Sequence, residues 1–153
     1  MDTIALGCDH AAFSLKENIK EYLTEQGYKV LDLGTHSTES VDYPDFGIAV
    51  GEAVASGKCN KGIVICGTGV GISISANKVK GIRAAVCSEP VSARLSREHN
   101  NSNVLAFGSR IVAPEYARVL VKTWLEATFQ GDRHSRRIDK ISSYETEKNH
   151  SLL

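Results

Sequence analysis

The sequence is short of proline, of excess charge and of long apolar runs, and each shortage removes a class of function. Only three prolines occur in 153 residues, and no Pro-rich or low-complexity stretch divides the chain. Eighteen basic residues are matched by 18 acidic ones. A balanced chain offers no extended surface to nucleic acid or to an acidic membrane, although it can still hold a local pair of arginines. No stretch is apolar for long enough to span a bilayer. The opening "MDTIALGCDH" lacks the basic-then-apolar layout of a signal peptide, so a cytoplasmic protein is expected. None of the four cysteines, Cys8, Cys59, Cys66 and Cys87, stands in C-x-x-C spacing with another. A zinc knuckle and a dithiol redox pair are not suggested, and free thiols in a reducing compartment are expected. No H-x-x-x-H pair is present, and no metal site is expected.

What the sequence does have is alternation. The length fits one domain, residues 1–153, with a sizeable core. "TIALG" reads as a buried parallel strand. "AAFSLKENIKEYLTEQG" has helical period, with Ala12, Leu15, Ile19, Tyr22 and Leu23 on one face and Gly27 as a stop. "KVLDLG" is a second strand, and Pro44 suits the first turn of a helix that ends near Gly57. "GIVIC", "IRAAVC" and "NVLAFG" are three more strands. Each is followed by a helix: "GISISANKV", "EPVSARLSREHN" and "APEYARVLVKTWLEATF". The charged tail "SRRIDKISSYETEK" is a last helix, expected to fray at its end. About five strands alternating with helices predict an α/β sandwich: a parallel sheet with helices on both faces. Ligands then bind in a crevice at the C-terminal strand ends.

The polar residues of interest cluster at predicted strand ends. "GCDH" places Asp9 and His10 after the first strand. "CGTGVG" follows the third. "REHNN" leads into the fifth strand and "GSR" follows it. These segments supply an acid, imidazoles, a thiol, an amide and a guanidinium, and they are expected to converge on the crevice.

Cys66 is by default a small buried core residue. Its place before a helix N-terminus allows a second reading, because the positive end of a helix dipole favours thiolate. A thiolate there could be a nucleophile or a proton-abstracting base. "GTGVGIS" is neither the G-x-G-x-x-G fingerprint nor a P-loop. Its glycines nonetheless leave backbone N–H groups uncovered at a helix start, where they can meet a phosphate or a developing enediolate. His36 and His150 fall in polar segments and read as surface residues. His10 and His99 fall at junctions and read as acid–base groups or ligands. Arg133 and Arg137 lie four apart beside His134 and share a helical face. Such a pair is either a solvated face or a phosphate site.

Together these segments resemble a known family. "GCDHAAFSLK", "DYPDFG", "GIVICGTGVGISISANKVKGIRAAVCSEPVSARLSREHNNSNVLAFGSR" and "GDRHSRRI" are similar to the ribose-5-phosphate isomerase B family. That family includes allose-6-phosphate and galactose-6-phosphate isomerases. The resemblance implies a Rossmann-like domain paired as a homodimer with shared active sites, or a tetramer. It implies a sugar-phosphate substrate, interconversion of ribose 5-phosphate and ribulose 5-phosphate, and no cofactor. By resemblance Cys66 is the base that moves a proton between C1 and C2, and Thr68 and His99 open the furanose ring. Gly67, Gly69, Val70 and Gly71 belong to the loop that holds the enediolate. Asp9 and Asn100 bind hydroxyls, and Tyr43 lines the site. His10, Arg110, Arg133 and Arg137 bind phosphate. The resemblance further implies that Cys66 and its loop come from one subunit, and His99, Asn100 and Arg110 from the other. Ser75 stands where lineages lacking the cysteine carry a glutamate.

Three other readings remain at the level of sequence: a hexose-phosphate isomerase of the same family, a non-catalytic nucleotide- or sugar-phosphate-binding module, and a cysteine hydrolase.

Overall fold

The shortage of proline has a structural counterpart. Pro44, Pro90 and Pro114 all sit in the first turn of a helix, where a missing N–H costs no intrahelical bond. The structure, a computed structural model, describes the backbone of residues 2–151 and the side chains of residues 2–147. The expectations for His150 and for the fraying end lie outside the described residues.

Five strands form one parallel sheet: β1 (Thr3–Cys8), β2 (Lys29–Asp32), β3 (Lys61–Cys66), β4 (Ala84–Val86) and β5 (Val104–Gly108). Their order is β2-β1-β3-β5-β4. The chain therefore passes over a position after β3, lays β4 at the edge and returns to fill the gap with β5. Burial follows that order: all five residues of β5, an interior strand, are buried, whereas β4, at the edge, is three residues long and half-exposed.

The helices are α1 (Phe13–Glu25), α2 (Tyr43–Ala55), α3 (Val70–Asn77), α4 (Pro90–Glu98), α5 (Pro114–Glu126) and α6 (Arg133–Ser151). A short 3-10 turn, His10–Ala12, precedes α1. Leu15, Ile19 and Leu23 of α1 pack with Leu120, Val121 and Trp124 of α5 against one sheet face. Val50 and Val54 of α2 pack with Ile72 and Ala76 of α3 against the other. This is the three-layer sandwich that the alternation predicts. Gly27 and Gly57 end α1 and α2 with φ of 89° and 81°, the left-handed stop that glycine permits. All four cysteines are unpaired and buried. Burial pushes the Cys8 thiol up to about 12 and the Cys87 thiol up to about 11.

Candidate active site

Strand pairing sets the first half of the site. β1 and β3 are neighbours, and the chain winds outward from them in opposite directions, which opens a crevice at their C-terminal ends. Cys66 ends β3, in register with Gly108 of β5. Its Sγ accepts a hydrogen bond from the N–H of Gly69 at 3.2 Å. Gly69 has φ of 82° and caps α3; a methyl group there would lie 2.7 Å from the backbone of Phe107. Only glycine fits that angle and that approach. The loop is thus wound tightly over β5, leaving Gly67 and the exposed Thr68 and Val70 around the sulfur. The Thr68 hydroxyl accepts from the N–H of Val70 at 3.2 Å.

Three other segments meet this loop. Asp9 follows β1, is buried, and accepts the N–H of Ala11 at 3.1 Å. The Nδ1 of His10 accepts the N–H of Val41 at 3.1 Å, which leaves Nε2 as the donor of its neutral ring. Tyr43 opens α2 and lies against Gly71, where a methyl group would come within 2.6 Å of its ring. Arg110, after β5, covers Gly67, with a methyl there 3.4 Å from the guanidinium carbon. Asp9, His10, Tyr43, residues 66–71 and Arg110 therefore form one cluster.

His99, Asn100, Arg133 and Arg137 do not join it. α4 runs antiparallel to the strands, so His99, its C-cap, and Asn100 lie before β5, at the N-terminal edge of the sheet. At ~3.3 Å per residue, β5 alone separates the two edges by about 13 Å. The expected convergence of "REHNN" on the crevice thus fails within one chain, because that segment precedes its strand rather than following it. The grouping of Arg110 with His99 and Asn100 fails too, because Arg110 stands on Gly67. His134 opens α6 beneath His99, and the two rings stack with centroids 4.3 Å apart and planes 11° from parallel. His134 and Ile138 face inward, while Arg133 and Arg137 share the neighbouring exposed face. Burial above all, then His99, Arg133 and Arg137, lower the His134 pKa against the pull of Asp132.

Among the described residues, no group of three His, Cys, Asp or Glu side chains is arranged to hold a metal ion. No helix among them is long and apolar enough to cross a membrane.

The chain is similar to known proteins over nearly its whole length. Residues 4–141 match the model of a family described as Ribose/Galactose Isomerase. The chain belongs to that family. It is 54% identical over 149 residues to ribose-5-phosphate isomerase B of Escherichia coli strain K12, covering 97% of this chain and 100% of that protein. The solved structure of Clostridium thermocellum ribose-5-phosphate isomerase B superposes with a TM-score of 0.94 at 56% identity, covering 95% of this chain and 99% of the other. The Mycoplasma genitalium ribose-5-phosphate isomerase B, solved with bound ribulose-5-phosphate, gives a TM-score of 0.91 at 43% identity. It covers 95% of this chain and 97% of that one.

Some residues that build the site carry no functional motif of their own. A methyl group at Gly108 would lie 2.5 Å from the Cα of Thr68, so Gly108 lets the glycine loop sit down on β5. The Ser109 hydroxyl donates to the carbonyl of Ala11 at 2.9 Å, tying the loop after β5 to the loop after β1. Glu89 caps α4 by accepting from Val91 and Ser92 at 2.7 and 2.9 Å. The "GSR" segment and the Pro after Glu89 are the only sequence signals for these, and neither says what it touches.

Proposed function

We propose that the chain interconverts D-ribose 5-phosphate and D-ribulose 5-phosphate as a homodimer, in the cytoplasm, as one domain over residues 1–153. The observation that carries the reading is the Cys66 sulfur at the mouth of the glycine loop, accepting the Gly69 N–H, with the Arg110 guanidinium over Gly67. Aldose–ketose isomerisation needs a base at C1/C2 and donors for the enediolate oxygens. Cys66 takes the proton from one carbon and returns it to the other, and the N–H groups of residues 67–71 hold the charge between those events. His99, with Thr68, moves protons between the ring oxygen and the anomeric hydroxyl to open the furanose. Asp9 and Asn100 bind hydroxyls beside Tyr43. His10, Arg110, Arg133 and Arg137 hold the phosphate, which anchors a small sugar remote from the reacting carbons. None of these steps calls on nicotinamide, flavin or metal, and neither nucleic acid nor membrane is a partner.

Pairing supports the reading because it reunites the two edges. In a two-fold dimer whose axis sets one edge against the partner's other edge, that contact forms twice. Val70, Ile74 and Ile111 around the glycine loop are exposed, and Val70 and Ile74 lie one turn apart on α3. Covering them with a second copy buries apolar surface and brings one subunit's Cys66 toward the other subunit's His99.

The test is direct conversion of ribose 5-phosphate to ribulose 5-phosphate by the purified protein, with allose 6-phosphate run alongside. Turnover of the pentose phosphate well above the hexose phosphate is expected. A preference for the hexose phosphate overturns the substrate, and conversion of neither overturns the reaction.

A further inference from the structure

Among the described residues, neither ring nitrogen of His99 makes a hydrogen bond; its backbone N–H donates to the carbonyl of Leu95 at 2.8 Å. An imidazole that transfers protons is ordinarily aimed by a hydrogen bond on its second nitrogen, from a carboxylate or a carbonyl. Here a second ring lies against the first instead. The imidazole of His134 lies face to face with that of His99 at 4.3 Å and 11°.

The stack is held from below. Gln130 donates its N–H to the carbonyl of Glu98 at 3.0 Å, one residue before His99. Gly131 and Asp132 then turn the chain with φ of 69° and 52°, and the His134 N–H donates back to Gly131 at 3.0 Å. His134 is 6% exposed, and its Nε2 is buried without a partner. An imidazolium needs an acceptor at each nitrogen, so this ring is held neutral, in keeping with its lowered pKa. It presents a flat, uncharged face.

We infer that His134 is a positioning residue for ring opening: by stacking on His99 it fixes the plane of that imidazole and leaves the His99 nitrogens, at the ring edge, free for the sugar. The inference rests on the proposed function, in which His99 opens the furanose.

Three variants test it: His134→Ala removes the ring, His134→Leu fills the space without a plane, and His134→Phe keeps a flat ring without nitrogens. Two quantities are measured on each: kcat and KM for ribose 5-phosphate, and the inhibition constant of an acyclic hydroxamate phosphate that mimics the open enediolate. A displaced acid–base group costs on the order of 10- to 100-fold in rate. His134→Ala and His134→Leu are expected to lose that much in kcat with KM within about twofold. His134→Phe is expected to recover most of it. Inhibition by the acyclic compound should stay within about twofold throughout, since that compound needs no ring opened. Should His134→Ala not fold, the Leu and Phe pair decides alone. Full activity in the Leu variant, a Phe variant no better than Leu, or hydroxamate binding that weakens in step with kcat would each overturn the inference. A wild-type protein inactive on ribose 5-phosphate would instead overturn the proposed function.

Discussion

The backbone N–H of Gly69 donates to the Sγ of Cys66 across 3.2 Å, so the thiol is tied directly to the glycine loop. The other site-edge thiols are differently placed. Cys8 and Cys87 are pushed up to about 12 and about 11 by burial and remain protonated at neutral pH. Cys66→Ala should therefore still bind ribose 5-phosphate while its turnover falls by roughly 10²- to 10⁴-fold, the range for loss of a positioned base. Cys87→Ala should remain active. Steady-state kinetics with binding of the substrate measured separately decides it; near wild-type turnover in Cys66→Ala would remove the base from Cys66.

Gly108 gives a second test. Its Cα carries the Thr68 backbone, and a methyl group there meets the Thr68 Cα at 2.5 Å. Neither backbone can yield without moving β5 or the loop. Gly108→Ala is expected to cost about 1–3 kcal/mol of stability through overpacking and to lower kcat more than it raises KM. Urea unfolding and kinetics on the same preparation read both effects. A variant as stable and active as wild type would mean that the loop has room to spare.

The strands, the helices, Pro44 at a helix start and the glycine stops were legible because each is a local signal. Strand order was not, since nothing in "IRAAVC" or "NVLAFG" states that β5 lies between β3 and β4. Cys66, Asp9 and His10 sit where a βα turn must place them, and the structure brings them together with Tyr43 and Arg110. His99 was misplaced for a topological reason: a residue just before a strand lies at the opposite edge from one just after it. The contact of His134 with His99 joins residues 35 apart through α6, and no spacing rule reveals it.

Lys16, in the first turn of α1, and Asp32, at the end of β2, tie the start of the first crossover to its end. Lys16 is fully buried, and its Nζ lies 2.9 Å from Asp32 and 2.8 Å from the carbonyl of Thr35. Burial pulls the Asp32 carboxyl upward, but hydrogen bonds from Lys16, the Gly34 N–H and Lys20 outweigh it and leave it below its ordinary 3.8. Burial pulls Lys16 downward, and Asp32 and Glu17 reverse that, leaving it above its ordinary 10.5. The Asp32 contribution is thus in place above the ordinary carboxylate value and lost as pH falls through the lower folded one. That of Lys16 is in place below its ordinary value and lost as pH rises through the higher folded one. Lys16→Ala removes one of the two lysines that hold the Asp32 carboxylate, leaving Lys20 and the Gly34 N–H, and should cost about 1.5–3 kcal/mol at neutral pH, the range for a hydrogen bond to a charged group. Urea unfolding of wild type and variant across pH should show that gap as a plateau that narrows in strong acid. A gap that stays constant in strong acid would show that the pair contributes nothing through its charges.

The separation of Cys66 from His99 along the sheet yields the most decisive prediction. With the thiol at one edge and the imidazole at the other, a single chain cannot bring both to one sugar, and a two-fold dimer can, in two composite sites. Two inactive proteins, Cys66→Ala and His99→Asn, are mixed and allowed to exchange subunits. In the hybrid dimer, one site receives both defects and the other receives an intact Cys66 and an intact His99. Random pairing makes half the dimers hybrids, each with one working site of two, so activity should return to about a quarter of wild type. Were both residues to serve a site within one chain, every site would carry one defect and mixing would restore nothing. Native mass spectrometry of differently tagged chains shows whether hybrids form. Hybrids present in the expected proportion but without activity would place the whole site in a single subunit, against the geometry of the sheet.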